Sequence, residues 1–206
     1  MSTIDKLTEM FERFPGIGPR QARRFVFHLL TEPKPEVERL ASLIRDVKNA
    51  VYECTLCFRF HTFAGANGLC EICGDHERDF SLIMVVERDS DVRSIEKSGT
   101  YTGVYFVLGG TVPLMSLEET KKLRGGALKA VVEKRLTEGL KEAILAFSVN
   151  PDGENTARYV ESLLAPYTSS SGLLVSFLGR GLSTGSELEY ADPETIKNAF
   201  RNRFHH

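Results

Sequence analysis

Between residues 4 and 14 the apolar positions Ile4, Leu7, Met10, Phe11 and Phe14 recur every three to four residues, which predicts an amphipathic helix. A second run of that period, carried by Ala22, Phe25, Val26, Leu29 and Leu30, begins at Pro19, a residue suited to the first position of a helix. The connection reads Phe14-Pro15-Gly16-Ile17-Gly18-Pro19, and its two glycines allow a tight turn. Pro35 then opens a third predicted helix, with Val37, Leu40, Ala41, Ile44, Val47 and Val51 along one side, running directly into Cys54.

The rhythm changes after residue 80. Ser81 to Val86 is a continuous apolar run that reads as a buried parallel strand. A polar helix over Ser90–Lys97, a strand over Val104–Leu108 and a helix over 127–140 follow. After these come a strand over Ala143–Val149, a helix over Gly153–Leu164 and a strand over Leu173–Leu178. Alternation of strands and helices predicts an open, mostly parallel α/β sheet covered on both faces, with sites at the carboxyl ends of its strands. The chain as a whole is α+β and multi-part. Its expected segments are 1–52 (helical), 53–78 (cysteine-bearing), 79–176 (α/β) and 177–206, a short C-terminal segment expected to contact another subunit.

The four cysteines of the chain form two C-x-x-C pairs, Cys54/Cys57 and Cys70/Cys73, with twelve residues between Cys57 and Cys70. Each pair can place two thiolates on one tetrahedral ion, and the intervening loop lets the pairs face each other. The expected occupant is a single structural Zn²⁺, since four protein ligands leave no position open for water. Disulfide or redox C-x-x-C chemistry is the competing reading. His61 or His76 could stand in for a cysteine, although four thiolates suffice; Arg59 and His61 are minor candidates for a phosphate contact.

Composition narrows the choice of function. A length of 206 residues, 42% of them hydrophobic, allows one sizeable core and a small second one. The formal net charge of -2 provides no global field for nucleic acid, so such binding must come from local patches. The opening MSTIDKLTEMFERF is too charged for a signal peptide, and no apolar run approaches the roughly 20 residues of a membrane span. A soluble, cytoplasmic protein with no membrane partner is expected.

One such patch follows the glycine turn. Exposed N–H groups around Gly16 and Gly18 at a helix N-terminus would cradle a phosphate, and the helix dipole adds positive potential. Arg20, Arg23 and Arg24 fall on one side of the second helix, opposite Ala22, Val26 and Leu29, where they could grip phosphates without reading bases. A solvated arginine face on an ordinary helical hairpin is the alternative. Phe27 lies on the arginine side, suited to packing on the next helix or on another subunit. The stretch Lys121–Lys141 is also basic, and there a solvated face and a nucleic-acid contact stand level.

Acids mark two strand ends: Glu87 closes the first strand, and Asp152 and Glu154 follow the third. By themselves these residues allow two readings: favourable charge in a helix's first turn for Asp152 and Glu154, and a docking surface for a basic partner. Gly179–Gly185 lacks the Gly-Lys-Ser/Thr ending of a phosphate loop, which excludes ATP binding there.

The Pro-Gly-Ile-Gly turn resembles the helix-hairpin-helix, a sequence-blind DNA-binding element. The strand-end acids resemble those of the Toprim domain, where a glutamate and an Asp-x-Asp hold Mg²⁺. Here Asn150-Pro151-Asp152 lacks the first aspartate, which weakens any catalytic two-metal site. Taken in order, these parts resemble the RecR family of bacterial recombination mediators. The resemblance rests on Phe-Pro-Gly-Ile-Gly-Pro-Arg with Phe27-His28-Leu29-Leu30, on the four cysteines and Val85-Val86-Glu87, and on Val107-Leu108-Gly109-Gly110. Gly181-Leu182, Gly185 and Leu188-Glu189-Tyr190-Ala191-Asp192 complete it.

That resemblance implies a non-catalytic, DNA-binding protein of recombinational repair in the bacterial cytoplasm, associated with the nucleoid. It would form a ring-like homo-oligomer, a tetramer by family, around double- or single-stranded DNA. With RecO and RecF it would load recombinase at single-stranded gaps. Arg20 and Arg24 fall at the family's DNA-contacting positions, with Arg23 an added charge, and Glu87, Asp152 and Glu154 fall on the face implicated in meeting RecO. The loop between Phe58 and Leu69 is longer than usual for the family. The alternative is a metal-dependent Toprim enzyme, a nuclease or primase-like protein using Glu87 and Asp152.

Overall fold

A computed structural model describes residues 1–62, 66–113, 117–182, 185 and 187–203. The chain divides into a unit of residues 1–51 and a unit beginning at Tyr52.

The first unit holds three helices: α1 (Thr3–Glu12), α2 (Pro19–Thr31) and α3 (Lys34–Ala50). A capping box starts α1: the Ser2 hydroxyl accepts from the Asp5 N–H at 3.2 Å, and the Asp5 carboxylate accepts from the Ser2 N–H at 2.9 Å. The helix ends at Glu12 rather than at Phe14, because the residue before Pro15 is driven out of the α conformation. Gly16 sits in the turn at φ +76°, a left-handed conformation that favours glycine. Helices α1 and α2 enclose Thr8, Ala22 and Val26, with Phe11 edge-on to Phe25 at 5.8 Å. No residue of α3 is buried, and its apolar Leu40, Leu43, Ile44 and Val47 are all exposed. The helix stops at Ala50, so a short strand, not the helix itself, leads into Cys54.

In the second unit β1 (Tyr52–Glu53) pairs antiparallel with β2 (Phe60–His61). The α/β part follows as β3 (Asp79–Val86), α4 (Asp89–Ser98), β4 (Gly103–Val107), α5 (Gly125–Thr137), β5 (Glu142–Ala146), α6 (Pro151–Ser171) and β6 (Leu174–Phe177). The sheet order is β4-β3-β5-β6 with every pairing parallel. Period-two alternation sorts its side chains. Ile83, Val85, Val104 and Phe106 face Leu128 and Val132 of α5 and Val160 and Leu164 of α6. Met84, Val86, Tyr105 and Val107 face Val92 of α4 and the four cysteines. The second layer on that face is thus a helix together with the cysteine module.

Helix α6 continues past the expected stop, through Pro166 to Ser171. Its far half is held by buried Leu164 and by the Tyr167 hydroxyl, which donates to Glu133 of α5 at 2.5 Å. A helix that the sequence pattern does not predict, α7 (Pro193–Arg201), starts where the Asp192 carboxylate accepts from Glu194 and Thr195 N–H groups, each at 3.0 Å. Among the described residues no helix is long and apolar enough to cross a membrane.

Candidate functional site

The turn joining β1 to β2 presents Cys54 and Cys57, and the segment leading toward β3 brings Cys70 and Cys73 against them. All four sulfurs lie within 4.8 Å of one another, buried and free of disulfides. Four sulfurs at about 2.3 Å from a tetrahedral Zn²⁺ would stand about 3.8 Å apart. The Cys57 and Cys70 sulfurs are 3.6 Å apart, a close match. Backbone N–H groups of Cys70 and Cys73 point at the sulfurs of Cys54 and Cys70, at 3.4 and 3.5 Å, and favour thiolates there. S–H donation from Cys57, Cys70 and Cys73 holds the Cys54 thiol far below its ordinary value, while hydrogen bonding with Cys54, Cys70 and Cys73 pushes Cys57 far above it. Thiols crowded in one dry pocket cannot all ionise unless a cation compensates them, so the donor set fits zinc. Among the described residues, only these four side chains form such a cluster.

Two connections weld this module to the sheet. The Cys57 carbonyl accepts from the Val107 N–H at 2.8 Å, so the module covers the open edge of β4. Arg124, at the start of α5, donates to the Val107 carbonyl at 3.1 Å and to Glu53 of β1 at 2.5 Å. Its guanidinium lies 5.5 Å from the centre of the Phe58 ring. By sequence Arg124 is one member of a basic stretch, since its partner Glu53 is 71 residues away. Arg135 of the same stretch is buried over Phe80, 5.5 Å from the ring centre, and Lys134 pairs with Glu138. Arg124 and Arg135 of that basic stretch are therefore structural.

Within the helical unit, Arg20, Arg23 and Arg24 are exposed on α2 and form no ion pair among the described residues. They line an open cleft of about 700 Å³ with Thr8, Glu12 and Phe27. A Cβ placed on Gly16 or Gly18 would meet nothing within 4 Å, and Gly18, the N-cap of α2, supplies no side-chain cap. Pro19 has no N–H, and those of Gln21 and Ala22 donate to the Gly18 carbonyl at 3.0 and 2.9 Å, which leaves the Arg20 N–H for an outside acceptor. Phe27 is 53% exposed on the arginine side.

The strand-end acids are arranged differently from expectation. Strand β3 is flanked by β4 and β5, so the chain reverses direction at the β3–β5 boundary, where open α/β sheets usually bind ligands. Here Glu87, only 5% exposed, accepts from the Ser148 N–H at 2.7 Å and bridges that crevice. It is therefore a buried carboxylate rather than a free surface one. Asn150, standing where a Toprim aspartate would, caps α6 by accepting from the Gly153 N–H at 2.8 Å. A side chain at Gly153 would collide with the Ser148 carbonyl, so a glycine is needed for this close approach. Asp152 is exposed in the first turn of α6, and Glu154 is engaged by Arg180 at 3.0 Å and Arg158 at 3.7 Å.

Family comparisons agree with this layout. The family model described as RecR, helix-hairpin-helix matches residues 4–48; Toprim domain matches 81–178; RecR, C-terminal matches 181–203. Recombination protein RecR of Cutibacterium acnes is 36% identical over 202 residues, covering 98% of this chain and 95% of that protein. The chain belongs to the RecR family. RecR proteins of Rippkaea orientalis and Staphylococcus haemolyticus are each 37% identical over 200 residues, with 97% of this chain covered and 95% and 96% of theirs. As a RecR-family recombination mediator the chain has its role in recombinational repair, and the alternative of Toprim metal catalysis is not favoured.

Proposed function

We propose that the protein is a non-catalytic DNA clamp of recombinational repair. In this reading it acts in the bacterial cytoplasm, at the nucleoid, as a ring-shaped homo-oligomer, a tetramer, working with RecO and RecF to load recombinase at single-stranded gaps. The observation that carries it is the trio Arg20, Arg23 and Arg24, without ion pairs among the described residues, beside the open N-terminus of α2. Guanidinium groups without ion pairs among the described residues, next to the Arg20 N–H at a helix N-terminus, bind phosphates of either double- or single-stranded DNA without regard to base.

The other parts have supporting roles. Cys54, Cys57, Cys70 and Cys73 would hold a structural Zn²⁺, which supplies no reaction. The uncovered apolar side of α3 and exposed Phe27 suit contact with a second copy of the chain. Asp152 and Glu154 offer a partially neutralised acidic rim to a basic protein, behind which Glu87 secures the crevice. No metal-dependent cleavage is expected, because Glu87 already accepts a backbone hydrogen bond and Asn150 carries no charge.

Fluorescence anisotropy on duplexes of unrelated sequence tests the reading. Arg20→Ala with Arg24→Ala should weaken binding equally on all of them. It should also flatten the log affinity–log salt slope by about 0.9 for each phosphate that the variant no longer neutralises. A sequence-selective loss, or no loss, would overturn it.

A further inference from the structure

On the outer side of the cysteine module, β2 alternates: Phe60 is 55% exposed while His61 is only 6% exposed. Neither ring nitrogen of His61 has a hydrogen-bond partner among the described residues and both are closed off from the surface, an unfavourable state for a polar group. His61 lines a groove of about 500 Å³ with Arg59, Phe60, Thr62, Glu71 and Arg93 of α4. Arg59 neutralises Glu71 at 3.0 Å, and Arg93 is exposed with no ion pair among the described residues. The groove therefore carries an exposed aromatic ring beside a guanidinium that has no ion pair among the described residues. The Phe60 backbone is fixed in turn by its N–H, which donates to Asp89 at 2.7 Å.

We infer that this groove is a single-stranded DNA site, in which Phe60 stacks on a base while Arg93 binds the adjoining phosphate. An aromatic face beside a cation is what a sequence-blind single strand requires, because every unpaired base offers a π-face and every linkage a phosphate. A duplex keeps its bases stacked and has nothing to offer Phe60. The inference extends the DNA-binding reading above, but it stands on residues of the other unit.

The test titrates full-length, zinc-loaded protein into labelled oligothymidine and into a duplex of equal length. Phe60→Ala and Arg93→Ala, both at exposed positions, should each weaken single-strand binding by on the order of tenfold and leave duplex binding unchanged. An equal loss on both DNAs, or no loss, overturns the site. The chain contains no tryptophan. Phe60→Trp therefore provides a lone tryptophan, excited selectively over the tyrosines, that oligothymidine should quench in step with the anisotropy rise, and binding without quenching overturns stacking. The two readings separate cleanly. If Arg20→Ala with Arg24→Ala leaves duplex binding intact while Phe60→Ala removes single-strand binding, the α2 face fails and this groove stands; the reverse pattern removes the groove alone.

Discussion

Glu87, at the end of β3, accepts a hydrogen bond of 2.7 Å from the backbone N–H of Ser148, just beyond β5. This bond spans the place where the chain reverses direction across the sheet, the usual ligand crevice of such folds. The carboxylate that a Toprim enzyme would direct at Mg²⁺ is here a tie between two strand ends.

Glu87→Gln retains an oxygen for Ser148, so stability should fall by less than about 1 kcal/mol, whereas Glu87→Ala should cost about 1–3 kcal/mol. Urea unfolding would measure both. Incubation with DNA and Mg²⁺ or Mn²⁺ should yield no cleavage or primer synthesis. Activity that Glu87→Gln abolishes would sink the mediator reading.

Arg124 joins β1, the edge of β4 and the Phe58 ring through one planar group. Arg124→Ala should lower unfolding stability by about 1–3 kcal/mol and speed zinc loss to a chelator. Arg124→Lys should rescue little, because a single ammonium cannot reach the Glu53 carboxylate and the Val107 carbonyl with a fork. Thermal melts and a chromogenic zinc indicator would report both effects.

Removal of the metal should act on the sheet. The cysteines pack on Met84, Val86, Tyr105 and Val107, and Cys57 covers the β4 edge. Elemental analysis should find one zinc per chain, and Cys57→Ser or strong chelation should lower the melting temperature and promote aggregation through the freed edge. The helical hairpin of α1 and α2 has its own core, so much of its helical circular dichroism should persist.

Glu96 supplies the pH dependence. A forked hydrogen bond from Arg78 holds its carboxyl below the usual carboxylate range, and the Tyr105 hydroxyl adds a further donor at 2.7 Å. A depressed folded-state pKa contributes stability above the unfolded value, about 4.3, and that contribution is lost as pH falls through the folded value. Melting temperatures followed down from pH 6 should therefore drop less steeply below about pH 4.5 in Glu96→Gln than in the unaltered chain. At neutral pH the variant should be the less stable by about 1–3 kcal/mol.

The local elements are legible in the sequence because their signals are local. The period in Ile4 to Phe11, the glycines around Ile17 and the run Ser81–Val86 each express backbone geometry within a few residues. Boundaries are less so: Pro15 shortens α1, while packing around Leu164 and Tyr167 carries α6 through Pro166. Helix α7 escapes the pattern although Asp192-Pro193 is a regular start signal, because its apolar residues are few and none of them is buried.

By itself the sequence determined that four cysteines would meet, that a glycine turn would open onto arginines and that strands would alternate with helices. Spacing along the chain suffices for each. Only the tertiary structure decided that Glu87 is buried against Ser148, that Arg124 belongs to Glu53, and that Phe60 and Arg93 line one groove. Burial and pairing depend on residues far apart in the chain, which no local pattern records.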